Sequence, residues 1–302
     1  MYSDISTIGG ELQFPVYIRN VAPMNPHASP SISLTTLWAT VWRNRRLITQ
    51  MAQREVVGRY RGSALGMAWS FLNPLLMLTV YTFVFSVVMK ARWGGPGTEG
   101  EADRAMFAVI LFVGMIVHGL LAEVLNRSPT LIVGNANYVK KVVFPLEILP
   151  LVSLVAALFH CAVSFGVLLL AYLAMQGTLQ WTAIFAPIVI LPLAILIIGL
   201  AWFLASLGVF LRDVSQTTGI ITTVMMFLAP VFYPVSALPE ALRPWIMLNP
   251  LTFIIEQMRA VTIWGQLPDF ASLGLYALGA CVFAWLGYAW FQKTRKGFAD
   301  VL

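Results

Sequence analysis

Residues 54–85 read REVVGRYRGSALGMAWSFLNPLLMLTVYTFVF, a basic segment that runs straight into a long apolar one. Arg54, Glu55, Arg59, Tyr60 and Arg61 dominate the first eight positions, and no charged residue follows from Gly62 to Met89. Lys and Arg accumulate on the cytoplasmic flank of a membrane span. The junction therefore puts the preceding segment inside and opens a span near residue 66. Ser63, Gly66 and Asn73-Pro74 punctuate that span, which a plain anchor does not need.

Composition extends this reading to the whole chain. Of 302 residues 59% are hydrophobic and only 11% charged, with mean hydropathy +0.80. A soluble core of this size needs a far more charged shell, so one membrane unit is expected. The net charge of +6 is span-flanking charge. No long Lys/Arg run with interleaved aromatics exists to suit a nucleic acid. Cys161 and Cys281 both fall in apolar runs, which argues against a disulfide framework. Residues 1–33 lack the apolar core of a signal peptide, so the first span is expected to be the targeting signal.

Uncharged runs long enough to cross a bilayer predict an all-α integral membrane protein with six spans, near 66–89, 105–122, 148–174, 183–210, 215–234 and 271–291. The run from Ile148 to Leu211 lacks Asp, Glu, Lys and Arg and is too long for one helix; Gln176-Gly177-Thr178-Leu179-Gln180 supplies the break. With both termini in the cytoplasm, fourteen of the 19 Lys and Arg fall inside, so the positive-inside bias predicts that orientation.

Four further segments complete the expected organisation. Residues 1–33, with Pro15, Pro23, Pro26 and Pro30, read as a flexible cytoplasmic arm. Over 34–61, Leu34, Leu37, Trp38, Val41, Ile48 and Met51 recur at helical spacing among arginines, which suits a helix lying in the membrane interface or one packed on another subunit. After the fifth span, Ala229-Pro230 and Pro234, then Pro239, Pro244 and Pro250, interrupt an apolar stretch. Too apolar for a free loop and too broken for a span, this stretch predicts a re-entrant pair of half-helices. The six-span domain occupies 62–292, and 293–302 is a cytoplasmic tail.

The loop after the second span runs from Asn126-Arg127-Ser128-Pro129 through Asn135-Ala136-Asn137-Tyr138 and Lys140-Lys141 to Phe144-Pro145 and Glu147. Ser128-Pro129 starts a short helix that ends near Gly134-Asn135. Two lysines alone would equally fit an ordinary inside loop; the full order is more specific. Together with Gln53-Arg54-Glu55, Arg59-Tyr60-Arg61, Ser63, Leu65-Gly66, Trp69, Asn73-Pro74-Leu75 and Tyr81, this loop resembles the permease subunit of type-2 ABC exporters for polysaccharides, the O-antigen, capsule and teichoic-acid exporters. The resemblance covers about residues 34–298. It implies a homodimeric channel in the bacterial inner membrane, powered by two copies of a separate ATP-binding subunit that holds ATP and Mg. It also implies an interface helix at about 34–60, a coupling helix at about 128–138 and periplasmic gate half-helices at about 240–264. The implied substrate is a glycan on undecaprenyl pyrophosphate or a related carrier.

The chemistry of the residues agrees with a transport subunit rather than an enzyme. No Gly-x-x-x-x-Gly-Lys-[Ser/Thr] occurs and no Lys follows a Gly, so hydrolysis belongs to a partner chain and no cofactor or metal is expected in this one. Ser128, Pro129, Leu131, Asn135, Asn137 and Tyr138 are the expected coupling contact. Arg54, Arg59 and Arg61 stand at the cytoplasmic mouth, where guanidinium forks match a pyrophosphate or simply anchor to anionic lipid. Trp69, Tyr81, Phe232 and Tyr233 are candidates to line a glycan path, since sugar C–H faces stack on aromatic rings. His118, His160 and Glu123 fall in or beside spans, where hydrogen bonds between helices explain them better than a proton relay. Glu99, Glu101 and Asp103 in a Gly-rich setting read as a solvated outer loop, not a metal site. Two rivals remain at this level: a type-2 exporter of a small lipophile such as a drug or haem, and a lipid-linked glycosyltransferase, which would need paired acids at a membrane face where Asp213 stands nearly alone.

Overall fold

The computed structural model describes residues 32–89, 101–139 and 144–302. The N-terminal arm lies almost wholly outside them, as do Glu99, Lys140 and Lys141. All regular structure among the described residues is helical.

Two helices replace the single one expected over 34–61: α1 (Leu34–Arg43) and α2 (Arg45–Tyr60). Ser33 caps α1 by accepting from the Thr35 N–H. Asn44 ends it, because its N–H and its side-chain amide both bond the Thr40 carbonyl while its φ of −97° and ψ of 10° leave the helical region. On α1 the exposed Trp38 and Trp42 stack with centroids 6.3 Å apart, and the Arg45 guanidinium lies 4.7 Å above Trp42. Such an amphipathic aromatic face suits a bilayer interface. On α2, Ile48 and Ala52 instead pack against Ile148 and Val152, and Val56 is buried one turn further on. The basic half of the segment is thus seated on protein. Gly62 and Gly66, at φ +85° and +49°, then turn the chain into the first span in a conformation costly for other residues.

That span begins as α3 (Trp69–Tyr81) and continues as a π-helical stretch, Thr82–Val88. The loosening expected at Asn73-Pro74 appears a turn or more later. Pro74 lies early in α3 and removes only one ladder donor, whereas the wide stretch ends with the Met89 N–H bonding the Val84 carbonyl at 2.8 Å. Then follow α4 (Glu101–Arg127), α5 (Ala136–Val139), α6 (Ile148–Gln176), α7 (Ala186–Phe210), α8 (Val214–Leu228), α9 (Arg243–Met247), α10 (Pro250–Thr262), α11 (Phe270–Thr294) and α12 (Phe298–Val301). Glu101 and Asp103, read as loop, begin α4.

Among the described residues, five helical stretches are long and apolar enough to cross a membrane: Gly66–Phe85, Met106–Thr130, Ile148–Gln176, Trp181–Phe210 and Phe270–Val301. The expected fifth span over 215–234 is shorter than its hydropathy suggested. α8 stops at Leu228 after 15 residues, and Ala229 is extended. At ~1.5 Å per residue α8 covers about 22 Å, against a hydrocarbon core of about 30 Å. The break between the third and fourth spans stands where expected, with Gly177 at φ +71° closing α6.

Packing gives the bundle two distinct ends. α4 runs through the middle, with Val113, Val117, Leu121 and Val124 fully buried against its neighbours. At one end Arg295 Nη1 reaches Glu147 Oε2 at 2.8 Å, and the Trp202 indole donates to the Glu147 carbonyl. These bonds gather α7, the start of α6 and the end of α11. At the other end the Tyr172 hydroxyl donates to the Ile263 carbonyl and the Thr182 hydroxyl to that of Val261, fastening the end of α10 to the α6–α7 hairpin. α10 is largely buried, while α9 exposes Trp245 and Met247.

Candidate functional site

Glu55 and Arg59 stand four residues apart on α2, and Glu123 and Arg127 four apart on α4, so each helix presents an acid and a base on one face. The pairs cross in antiparallel register: Arg59 Nη2 lies 2.5 Å from Glu123 Oε1, and Arg127 Nη1 2.5 Å from Glu55 Oε1. From α6, His160 Nδ1 lies 2.9 Å from Glu123 Oε1 and 3.1 Å from Arg59 Nη1. Burial pushes the Glu55 carboxyl up from its ordinary value, with Arg127 and then Arg59 drawing it back. The half-buried Glu55, Glu123 and Arg127 are tolerated here because each has its counter-ion in reach.

Arg59 lines two cavities. The first, about 510 Å³, lies among α2, α6 and the segment after α4; Arg54, Glu55, Arg127, Asn135 and Tyr138 face it. The second, about 260 Å³, runs between α3, α4 and α6 from Glu123 and His160 toward Met77, Tyr81 and Phe112. Of the three arginines expected at the mouth, Arg54 and Arg59 thus share a site, whereas Arg61 caps the end of α2 outside both cavities. Tyr81 joins the second cavity, with its ring centroid 6.4 Å from that of Phe112. Trp69, Phe232 and Tyr233 lie outside both. Phe232 instead stacks between Phe85 and Phe227, and the Tyr233 hydroxyl donates to the Phe227 carbonyl.

The segment 128–138 is two 3₁₀ turns followed by α5, not the single short helix expected. Ser128 and Pro129 are buried, and a Cβ on Gly208 of α7 would overlap the Pro129 carbonyl. The Ser128 hydroxyl donates to the Val124 carbonyl, continuing the ladder of α4. Leu131 is buried too, Asn135 and Tyr138 are half-buried, and Asn137 is exposed. Tyr138 stacks on Phe144, centroids 4.3 Å apart. The first half of the segment is therefore its foot, and Val133, Gly134 and Asn137 make its outer surface.

Two features escaped the sequence. Glu55-Val-Val-Gly-Arg59 and Glu123-Val-Leu-Asn-Arg127 carry the same Glu-x-x-x-Arg spacing, a signal for the cross-pairing that is visible only when the two are set side by side. Arg259, one of the five Lys and Arg that the charge count leaves outside, is wholly buried. It bonds Glu256 Oε1 at 2.9 Å, the Ile110 carbonyl at 3.2 Å and the Val231 carbonyl at 3.1 Å. His118, as expected, makes a contact between helices, 3.0 Å from the Thr222 carbonyl. No group of three or more metal-ligating side chains occurs among the described residues.

The cross-pairs make a direct prediction. Arg127→Glu sets two carboxylates together and is expected to cost about 2 kcal/mol, with most of the loss recovered in the swap Glu55→Arg/Arg127→Glu. Thermal melting of the four proteins of this cycle in detergent checks it. A swap no more stable than the sum of its singles would show the pairs to be uncoupled.

Comparison with known proteins places this geometry in a family. The family described as ABC-2 type transporter matches residues 46–263, a stretch that holds both charge pairs and the residues lining both cavities. The O-antigen export system permease protein RfbA of Myxococcus xanthus is 28% identical over 262 residues, covering 86% of this chain and 96% of that protein. Its namesake in Klebsiella pneumoniae is 25% identical over 258 residues, 85% of this chain and 95% of that protein. The polysialic acid transport protein KpsM of Escherichia coli is 22% identical over 255 residues, 80% and 91% of the two chains. With a family match across most of its length, residues 46–263, the chain belongs to the ABC-2 type transporter family.

Proposed function

We propose that this chain is the channel-forming membrane subunit of an ATP-driven exporter that moves polysaccharide, on undecaprenyl pyrophosphate or a related carrier, across the bacterial inner membrane. The observation that carries this reading is the family match over residues 46–263, joined by near full-length likeness to permeases named for O-antigen and polysialic acid. Two copies form the channel, and two ATP-binding subunits supply the hydrolysis for which this chain has no phosphate-cradling loop. Both termini and the arginine-rich end face the cytoplasm. α8, extended by the apolar break after it, is the fifth of six crossings; α9 and the buried α10 are the re-entrant gate at the periplasmic side. Val133, Gly134, Asn137 and the half-buried Asn135 and Tyr138 meet the ATP-binding subunit, held rigid by Ser128, Pro129 and Leu131. Arg54, Arg59 and Arg61 receive the pyrophosphate, and Trp69, Tyr81, Phe232 and Tyr233 border the glycan path.

Deleting the gene tests the reading. Surface glycan is expected to disappear while lipid-linked glycan accumulates on the cytoplasmic side, and a plasmid copy is expected to restore export. Normal surface glycan in the deletion strain would refute the assignment.

A further inference from the structure

The groove between α3, α4 and α6 has an amphipathic build that pyrophosphate binding alone does not explain. We propose that it seats the first isoprenoid units of the carrier lipid, with the lipid's phosphate held at Arg59 and His160; this rests on the export reading above.

The groove begins at Arg59, Glu123 and His160 and continues along Met77, Phe112, Met115 and Leu120. Polar groups at one end and an apolar wall beyond them match a phosphate followed by a hydrocarbon chain. Its size suits one chain. A dry cavity of ~150 Å³ holds a benzene ring, so 260 Å³ has room for about ten carbons, or two isoprene units. Gly119 lines this space, and a Cβ built on it meets nothing within 4 Å, so the missing side chain helps keep the groove open.

The polar end has a group left over. His160 Nδ1 is engaged by Glu123 and Arg59, whereas its Nε2 is buried with no hydrogen-bond partner among the described residues. A phosphate oxygen supplies that partner. Charge agrees: Arg54, Arg59 and Arg127 face Glu55 and Glu123 across the two cavities, leaving an excess of one positive charge for an anion. A groove of this volume takes the single chain of a polyprenyl carrier rather than the paired chains of a phospholipid.

The test uses the exporter purified with its ATP-binding subunit in phosphatidylcholine nanodiscs, with farnesyl pyrophosphate as single-chain probe and inorganic pyrophosphate as headgroup control. Gly119→Leu is expected to raise the Kd for farnesyl pyrophosphate at least tenfold and to leave that for inorganic pyrophosphate unchanged. Arg59→Gln is expected to weaken both. Gly119→Ala is the folding control, and Ser164→Leu fills the groove from α6 should Gly119→Leu not fold. Farnesyl pyrophosphate bound as tightly by the filled variants as by the natural protein overturns the proposal. So does displacement of the probe by an equal concentration of phosphatidylglycerol, which identifies an ordinary phospholipid site. If filled variants bind normally while the natural gene restores surface glycan to the deletion strain, the groove fails and the export reading stands. Unchanged surface glycan on deletion sinks the export reading by itself.

Discussion

Gly199→Leu is expected to leave no folded protein in the membrane, and Gly199→Ala to cost about 3 kcal/mol, at the upper end of overpacking penalties. A Cβ on Gly199 would lie 2.6 Å from Ala284 Cα and 2.9 Å from its N, and one on Gly287 would overlap the Gly199 carbonyl. These neighbours are backbone, so no side-chain rotation relieves the clash. Instead α7 and α11 must separate, losing dispersion contacts along both helices; in a bilayer such contacts, not burial from water, hold helices together. Gly274 and Gly279 on α11 provide the control, because a Cβ on either meets nothing within 4 Å. Alanine there is expected to be harmless or slightly stabilising, since it favours the helix. Melting temperatures in detergent for the four alanine variants decide the matter. Equal losses at Gly274 and Gly199 would show that the close crossing is not what these glycines serve.

Arg259→Met is expected to destabilise the protein by about 3 kcal/mol, the cost of breaking a buried charged hydrogen-bond network from one side. Ile110 lies within α4, so its carbonyl keeps a helical donor when the guanidinium goes. Val231 lies in the break after α8, and the residue three further on is Pro234, which has no N–H to offer. Its carbonyl is therefore the group left unsatisfied. Glu256 loses its partner too, but at 34% side-chain exposure it can turn toward water. Arg259→Met/Glu256→Gln is thus expected to recover only part of the loss. Because Arg259 joins α10, α4 and the break, proteolysis between 229 and 249 should accelerate in the variant. Unchanged melting and unchanged cleavage would show that packing alone holds this segment.

Much of this architecture was legible in the chain. The charge-free runs predicted six spans, five of which coincide with helices long and apolar enough to cross a membrane among the described residues, and Gly177 marked the turn between two of them. The resemblance carried by Arg59-Tyr60-Arg61, Asn73-Pro74 and the 126–150 loop pointed to the ABC-2 type transporter family. What failed did so for local reasons with nonlocal causes. Hydropathy counted Phe232 and Tyr233 as span because both are apolar, but Pro230 and Pro234 deprive that backbone of donors and α8 ends at Leu228. Ser128 and Pro129 have the chemistry of an exposed helix start, yet Gly208 lets α7 come close enough to bury them.

The sequence by itself determined that the chain is a helical membrane protein, that a turn falls at Gly177 and where along the chain its positive charge gathers. Helical period and hydropathy are properties of neighbours a few residues apart, and each residue reports on its own surroundings. Only the tertiary structure decided that Arg59 meets Glu123, 64 positions away, and His160, 101 away. It alone decided that Arg259 is buried and that α3, α4 and α6 leave a groove beside Gly119. Those outcomes depend on the register and closeness of helices, which one-residue choices such as Gly199 and Gly208 set, and no single stretch of sequence contains both sides of such a contact.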